Sequence, residues 1–334
     1  MPRKTFKKNI TEGILDKINP KNLDLSKRFL KDKSSRCSDK TIKGYESDLN
    51  IFWSWNYTHN ENKFFIDIKK LEFSDFISFA VEEMKWGAMR TNRVRSVLSS
   101  LSIFIEKFFD TDYPQFRNVI LKVIESTPKD QRREKTVLSD EQVESLLRHL
   151  SETDKQKACW LSLAVTSGAR FSEILRFKTD LIDENRRAFG DLFLETTKQI
   201  KTKGRGRSGK LLHKYILAEA FLPHYKEWLE ERSNIIEKSG IEDHLFIFIN
   251  NDGTPAEDYV IRNWFVGFEK FLGVDVYPHA FRHYATTLLS RKNIPHQLIK
   301  ELFGWNSVNM VELYDDQTAK DRSWSELDNL KENK

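Results

Sequence analysis

Three short stretches of this 334-residue chain set charged and proton-carrying side chains at helical spacing. SGARFSEIL puts Arg170 just after the break at Gly168 and Glu173 one turn later; HAFRHYATTLL puts His279 and Arg282 on one helix face; ELFGWNSVNMVELYDD puts Trp305 and then, nine positions on, Tyr314. A guanidinium stays charged and its fork binds phosphate oxygens bidentately. An indole N–H can donate to the same oxygens, and a tyrosine hydroxyl can serve as a nucleophile. A fourth stretch is cationic: between Thr196 and Ala218 lie Lys198, Lys201, Lys203, Arg205, Arg207, Lys210, His213 and Lys214, with no carboxylate. The whole chain has 55 Lys and Arg against 50 Asp and Glu, a formal charge of only +5, so the distribution says more than the total. A cationic finger on a near-neutral body is the footprint of polyanion binding. Singly, each residue has an ordinary use: a surface arginine, a helix-capping His279 after Pro278, a core Trp305 beside Phe303, a tyrosine on an amphipathic helix.

The elements that must carry these side chains are mostly helical. SDKTIKGYESDLNIFWSW offers Ser38 or Asp39 as cap and Ile42, Tyr45, Leu49, Phe52 and Trp53 as an apolar face, leaving Lys40 and Lys43 off it. FSDFISFAVEEMKW repeats the pattern. The helix after Gly87 opens with Arg90, Asn92, Arg93 and Arg95. Basic residues in a first turn oppose the helix dipole, so a phosphate backbone or an ion pair must account for them. STPKDQRREKT, from Ser126 to Thr136, carries no large apolar side chain and reads as a linker. Beyond it come a capped helix in LSDEQVESLLRHL, a strongly apolar helix broken at Gly168, and strand-like segments around the turn residues GRGRSG that predict a β-hairpin with a basic tip. HLFIFINNDGTP predicts a short strand and turn, and the remainder is helical with breaks at Pro278, Pro295 and Gly304.

Several classes of function drop out. No apolar run approaches the ~18 residues of a membrane span, and the first residues lack the apolar segment of a signal peptide, so a soluble cytoplasmic protein is expected. Cys37 and Cys159 are far apart, with no CxxC, which argues against a disulfide scaffold or a structural zinc site. The acidic residues sit on solvated helix faces or beside Tyr314 rather than as inward-facing pairs, which argues against a two-metal nuclease. No metal or cofactor is expected.

In order and spacing, the quoted motifs resemble those of the tyrosine recombinase (phage integrase) family: G-x-R-x-S-E, then H-x-x-R, then L-G-H/W and a tyrosine nine residues on. The resemblance spans Leu138 to Tyr314 by motif and Ser38 to Thr127 by helical pattern. It implies a mainly α fold with a small antiparallel β-sheet (α+β): an N-terminal helical core-binding domain plus a tyrosine-recombinase catalytic domain. The domains expected are a polar arm at 1–37, the core-binding domain at 38–127, a linker at 128–137 and the catalytic domain with its C-terminal segment at 138–334. The implied activity is site-specific DNA recombination or integration, encoded by a phage or mobile element and proceeding through a 3′-phosphotyrosine intermediate. Arg170 and Arg282 would clamp the scissile phosphate, Tyr314 would attack phosphorus, His279 would assist proton transfer, and Trp305 would stand where most members have histidine. Glu173 would support the arginine and histidine. The family's general acid is a lysine on the hairpin; Lys201 ranks first here, then Lys198, then Lys203. Lys40, Lys43, Arg90, Asn92, Arg93, Arg95, Lys198, Lys203, Arg205 and Arg207 are the candidate DNA contacts. His149, His224, His283 and His296 match no family position and read as structural. Double-stranded DNA is the implied partner, with a homotetramer on paired sites and a C-terminal segment, anchored by Trp324 and Leu327, exchanged between neighbours. The alternative is a catalytically silent DNA-binding regulator with the same fold, which the tryptophan at position 305 and the ambiguous lysine keep open.

Overall fold

The computed structural model describes residues 13–120, 136–204 and 209–315. They fall chiefly into two compact units, one before the interval 121–135 and one after it.

Among its described residues the first unit has the α-helices α1 (Pro20–Ser34), α2 (Asp39–His59), α3 (Lys70–Glu82) and α4 (Ala88–Phe108). Of the two caps its sequence offers, Ser38 caps α2 by accepting from the Thr41 N–H. The core is aromatic: the Phe52 ring meets those of Trp53, Trp55, Phe65, Phe73 and Phe76 at centroid distances from 5.0 to 6.1 Å. One expectation changes here. Much of the polar arm expected at 1–37 is α1, an integral helix whose Leu25 and Phe29 are buried and whose Ser26 Oγ accepts from Trp53 Nε1 at 2.9 Å. Asn19 caps it and Pro20 sets its first turn, so four scattered lysines hide a two-residue apolar stripe.

Among its described residues the second unit runs α5 (Asp140–Thr153), α6 (Lys155–Ser167), α7 (Phe171–Ile174), five short strands, then α8 (Ala218–Ser239), α9 (Asp258–Leu272), α10 (Pro278–Arg291), α11 (His296–Phe303) and α12 (Asn309–Tyr314). Ser139 and Gln142 form the capping box that opens α5. Every residue of α6 from Ala158 to Ser167 is buried, Cys159 and Trp160 among them, which is why its sequence lacks an amphipathic period. The strands are β1 (Arg187–Ala188), β2 (Phe193–Glu195), β3 (Ile200–Thr202), β4 (Lys210–Leu212) and β5 (Tyr215–Leu217). They form a three-stranded antiparallel sheet in the order β1-β2-β5 and a separate β3-β4 hairpin, with Lys201 opposite Leu211. The hairpin expected from the sequence is therefore present, while its tip residues Arg205 and Arg207 lie outside the described residues. HLFIFINNDGTP forms no extended strand; single bridges pair Lys178 with Phe246 and Ile249 with Pro255. Of its five apolar residues, Ile247, Phe248 and Ile249 are buried. Among the described residues no helix is long and apolar enough to cross a membrane.

Candidate active site

Gly168 ends α6 with φ of +54°, and a Cβ there would meet the Phe303 ring at 2.2 Å. That left-handed turn starts α7 in a new direction and frees the Gly168 carbonyl, which accepts a hydrogen bond from Arg282 Nη1 on α10. The Arg282 guanidinium also donates from Nη2 to the Phe303 carbonyl at 3.4 Å and faces the rings of Trp305 at 4.7 Å, Phe303 at 5.1 Å and Tyr314 at 5.8 Å. Arg282 is 1 % exposed, and its Nε has no acceptor among the described residues.

Arg170 precedes α7, with its side chain 23 % exposed. Glu173 reaches back to it, Oε1 accepting from Arg170 Nη1 at 2.8 Å and Oε2 from the Arg170 backbone N–H at 3.0 Å. The same carboxylate, fully buried, accepts from Lys214 Nζ at 2.7 Å, and Lys214 is buried as well. Burial pushes the Glu173 carboxyl up, but the Lys214 charge and hydrogen bond, with Arg170 adding to them, outweigh it and bring the group down to about 2. Burial holds Lys214 below the ordinary lysine range, with Arg282 and Arg170 adding to that and Glu173 opposing it. Burial likewise brings Arg282 down to about 10, with Arg170 the next cause. Arg170 and Lys214 thus share one carboxylate, whose charge also acts on Arg282.

His279 stands in the first turn of α10, its ring 6.3 Å from that of Tyr314. Burial lowers its pKa, and the charges of Arg282, His283, Arg170 and Lys203 lower it further, so the imidazole is neutral at neutral pH. Tyr314 closes the site from α12. Its ring stacks on His283 at 4.4 Å and lies against Trp305 at 5.1 Å. Trp305 follows Gly304, the left-handed end of α11, where a Cβ would meet Leu212 of β4 at 2.3 Å.

The structure therefore brings Arg170, Glu173, His279, Arg282, Trp305 and Tyr314 together. Of the three hairpin lysines, Lys203 is the one whose charge bears on His279. Lys198 is tied to Asp180 at 3.0 Å, and Lys201 lies exposed on β3, its carbonyl accepting from Arg176 Nη1 at 2.6 Å. Sequence reasoning missed two members. Lys214 was counted only in the cationic run, and His283, read as structural, is stacked on Tyr314. Glu173 supports Arg170 and Lys214 rather than a histidine. In the first unit, Lys40, Lys43, Arg90 and Arg93 are exposed. Arg90 stacks over Trp86 at 4.2 Å, and Arg93 is held by the buried Asp48 at 2.8 Å and the Gly44 carbonyl at 3.1 Å, which accounts for an arginine early in α4 without DNA. Asn92 and Arg95, like these, engage neighbouring groups of the protein.

A cluster of arginines with a tyrosine at its edge, on a helical unit with small antiparallel sheets, defines a class. The chain belongs to the phage integrase family, the tyrosine recombinases, which it matches over residues 136–321, more than half its length. It is 27% identical over 305 residues to the SPbeta prophage-derived recombinase-like protein YomM of Bacillus subtilis, covering 87% of this chain and 86% of that one. It is 25% identical over 283 residues to tyrosine recombinase XerD of Listeria innocua, covering 83% and 88%. In fold, it resembles the Tn1549 transposon integrase solved in complex with circular intermediate DNA, with a TM-score of 0.68 at 15% identity over 92% of this chain and 98% of that one.

Proposed function

We propose that this protein is a site-specific DNA recombinase that cleaves and rejoins duplex DNA through Tyr314. The carrying observation is a surplus of positive charge at the site: Arg170 and Lys214 already share the carboxylate of Glu173, while the buried Arg282 bonds only backbone carbonyls and its Nε has no acceptor among the described residues. A buried cation with an unsatisfied donor is costly until an anion supplies the missing oxygen. A phosphodiester does so. Arg170 offers the open contact, and Arg282 becomes available as the rings of Tyr314 and Trp305 shift off it.

The Tyr314 oxygen then attacks phosphorus while its proton passes to the neutral His279. The P–O5′ bond breaks, Lys203 donates the proton that the leaving 5′-hydroxyl needs, and the arginines hold the charge developing on the non-bridging oxygens. Attack by the 5′-hydroxyl of another strand reverses the step and releases Tyr314, so the bond energy is kept for strand exchange. The family assignment, and relatives named as recombinases, support this reading. Under it the boundary falls at 128–137, the units on either side both contact duplex DNA, and copies assemble on paired sites.

A second reading has one observation in its favour. Arg282 is almost wholly covered, with the Trp305 indole on its face, as suits a DNA-binding regulator that no longer cuts. A duplex nicked near the cleavage position separates the two, because strand release traps the covalent complex. We expect an adduct that survives denaturant, is shortened by protease and maps to Tyr314. Tyr314→Phe should bind DNA and form none. Tight specific binding without an adduct would select the regulator.

A further inference from the structure

We infer that Asp315, Ser290 and His296 form an anchor that positions Tyr314 for attack, with Asp315 as its principal positioning residue; this rests on Tyr314 being the nucleophile. The helix that presents Tyr314, α12, has six residues and no side-chain cap at its start. So short a helix does not hold itself in water, and its place must be set by tertiary contacts. Val311 is buried beneath it, and its far end is held twice by α10. His283 Nδ1 is 3.1 Å from the Tyr314 carbonyl, and Ser290 Oγ donates to Asp315 Oδ2 at 2.7 Å. His283 and Ser290 are seven positions apart, two turns on one face of α10, the helix that also carries His279 and Arg282.

The Asp315 side chain is fully buried, so its carboxylate must be hydrogen-bonded. A serine hydroxyl has one proton. Since Ser290 gives it to Asp315, the 3.0 Å contact between Ser290 Oγ and His296 Nε2 is a donation from the imidazole, and the same nitrogen lies 3.6 Å from Asp315 Oδ2. His296 thus orients the serine that holds the residue after the nucleophile. None of the three side chains is among those that the site directs at phosphate.

The test uses the full chain with Asp315→Ala, Asp315→Asn and Ser290→Ala. It measures duplex binding, the single-turnover rate of adduct formation on a nicked duplex, and the fluorine NMR signal of a fluorotyrosine placed at position 314. Displacing a reacting group by an ångström costs about a hundredfold in rate. Asp315→Ala should therefore slow adduct formation by roughly one to two decades, leave affinity within about twofold and move the fluorine resonance; Ser290→Ala, which only removes a hydroxyl, should follow it at smaller size. Asp315→Asn keeps an acceptor oxygen for Ser290 and should restore most of the rate. An unchanged rate and resonance in the alanine variants, or an asparagine variant as slow as the alanine one, would overturn the anchor. If the unmodified protein forms no adduct, the nucleophile reading fails, and the resonance still decides the anchor: displaced in Asp315→Ala it stands, unmoved it falls.

Discussion

Arg170 and Arg282 are alike in the sequence and differ in the structure. Arg170 keeps a quarter of its side chain in solvent and shares Glu173 with Lys214, so removing it leaves the carboxylate paired. Arg282 is enclosed and holds two backbone carbonyls that would be left bare, at about 1–3 kcal/mol each. Arg170→Ala should thus lower the single-turnover cleavage rate by about two to three decades with little change in the urea midpoint. Arg282→Ala should lower both. Equal and small effects on cleavage would mean that neither arginine meets the reacting phosphate. The motif residues were legible because each motif is one unbroken piece of chain, whose helical period brings its members to one side. Lys214 was not, because its partner Glu173 is 41 residues away and only the fold makes them neighbours. Lys201 and Lys203 fall on the same side of a strand by alternation, so alternation alone does not separate them.

At the scale of elements, the site is built on a junction. The end of α6, the start of α7, the middle of α10 and the end of α11 meet around Gly168, whose carbonyl takes the Arg282 hydrogen bond and whose missing side chain makes room for Phe303. Gly168→Ala should cost roughly 1–2 kcal/mol for the left-handed backbone and about 1–3 kcal/mol for crowding Phe303. A denaturant titration reads the loss, and a wild-type midpoint would show that the junction yields freely. The helices themselves were visible from their caps and periods, as Ser38 and Ser139 show. What escaped was α1, whose stripe is Leu25 and Phe29 among lysines, and the segment around Phe246, where an apolar run that reads as a strand makes only single bridges.

On the scale of the whole molecule, charge is arranged rather than accumulated. A body with a formal charge of +5 carries its carboxylate-free run through the β3-β4 hairpin and the residues on either side of it in sequence, while exposed Lys40, Lys43 and Arg90 lie in the other unit. If both units meet phosphates, affinity for duplex should fall steeply with salt, with a log–log slope of about −0.9 per neutralised phosphate. Charge reversal at Lys40 and Lys43 together should flatten that slope by about two if each meets one phosphate; an unchanged slope would confine the contacts to the second unit.

The distribution of sulfur gives the molecule its own clock. Cys37 lies partly open between α1 and α2, whereas Cys159 is sealed in the centre of α6, where burial raises its thiol pKa far above the usual range and keeps it unreactive. A thiol reagent therefore meets Cys37 directly and Cys159 only when the helical core of the second unit opens. The first rate calibrates the reagent, and the ratio of the second to it times the breathing of the core around which the arginines are mounted, in the unmutated chain and with no added label.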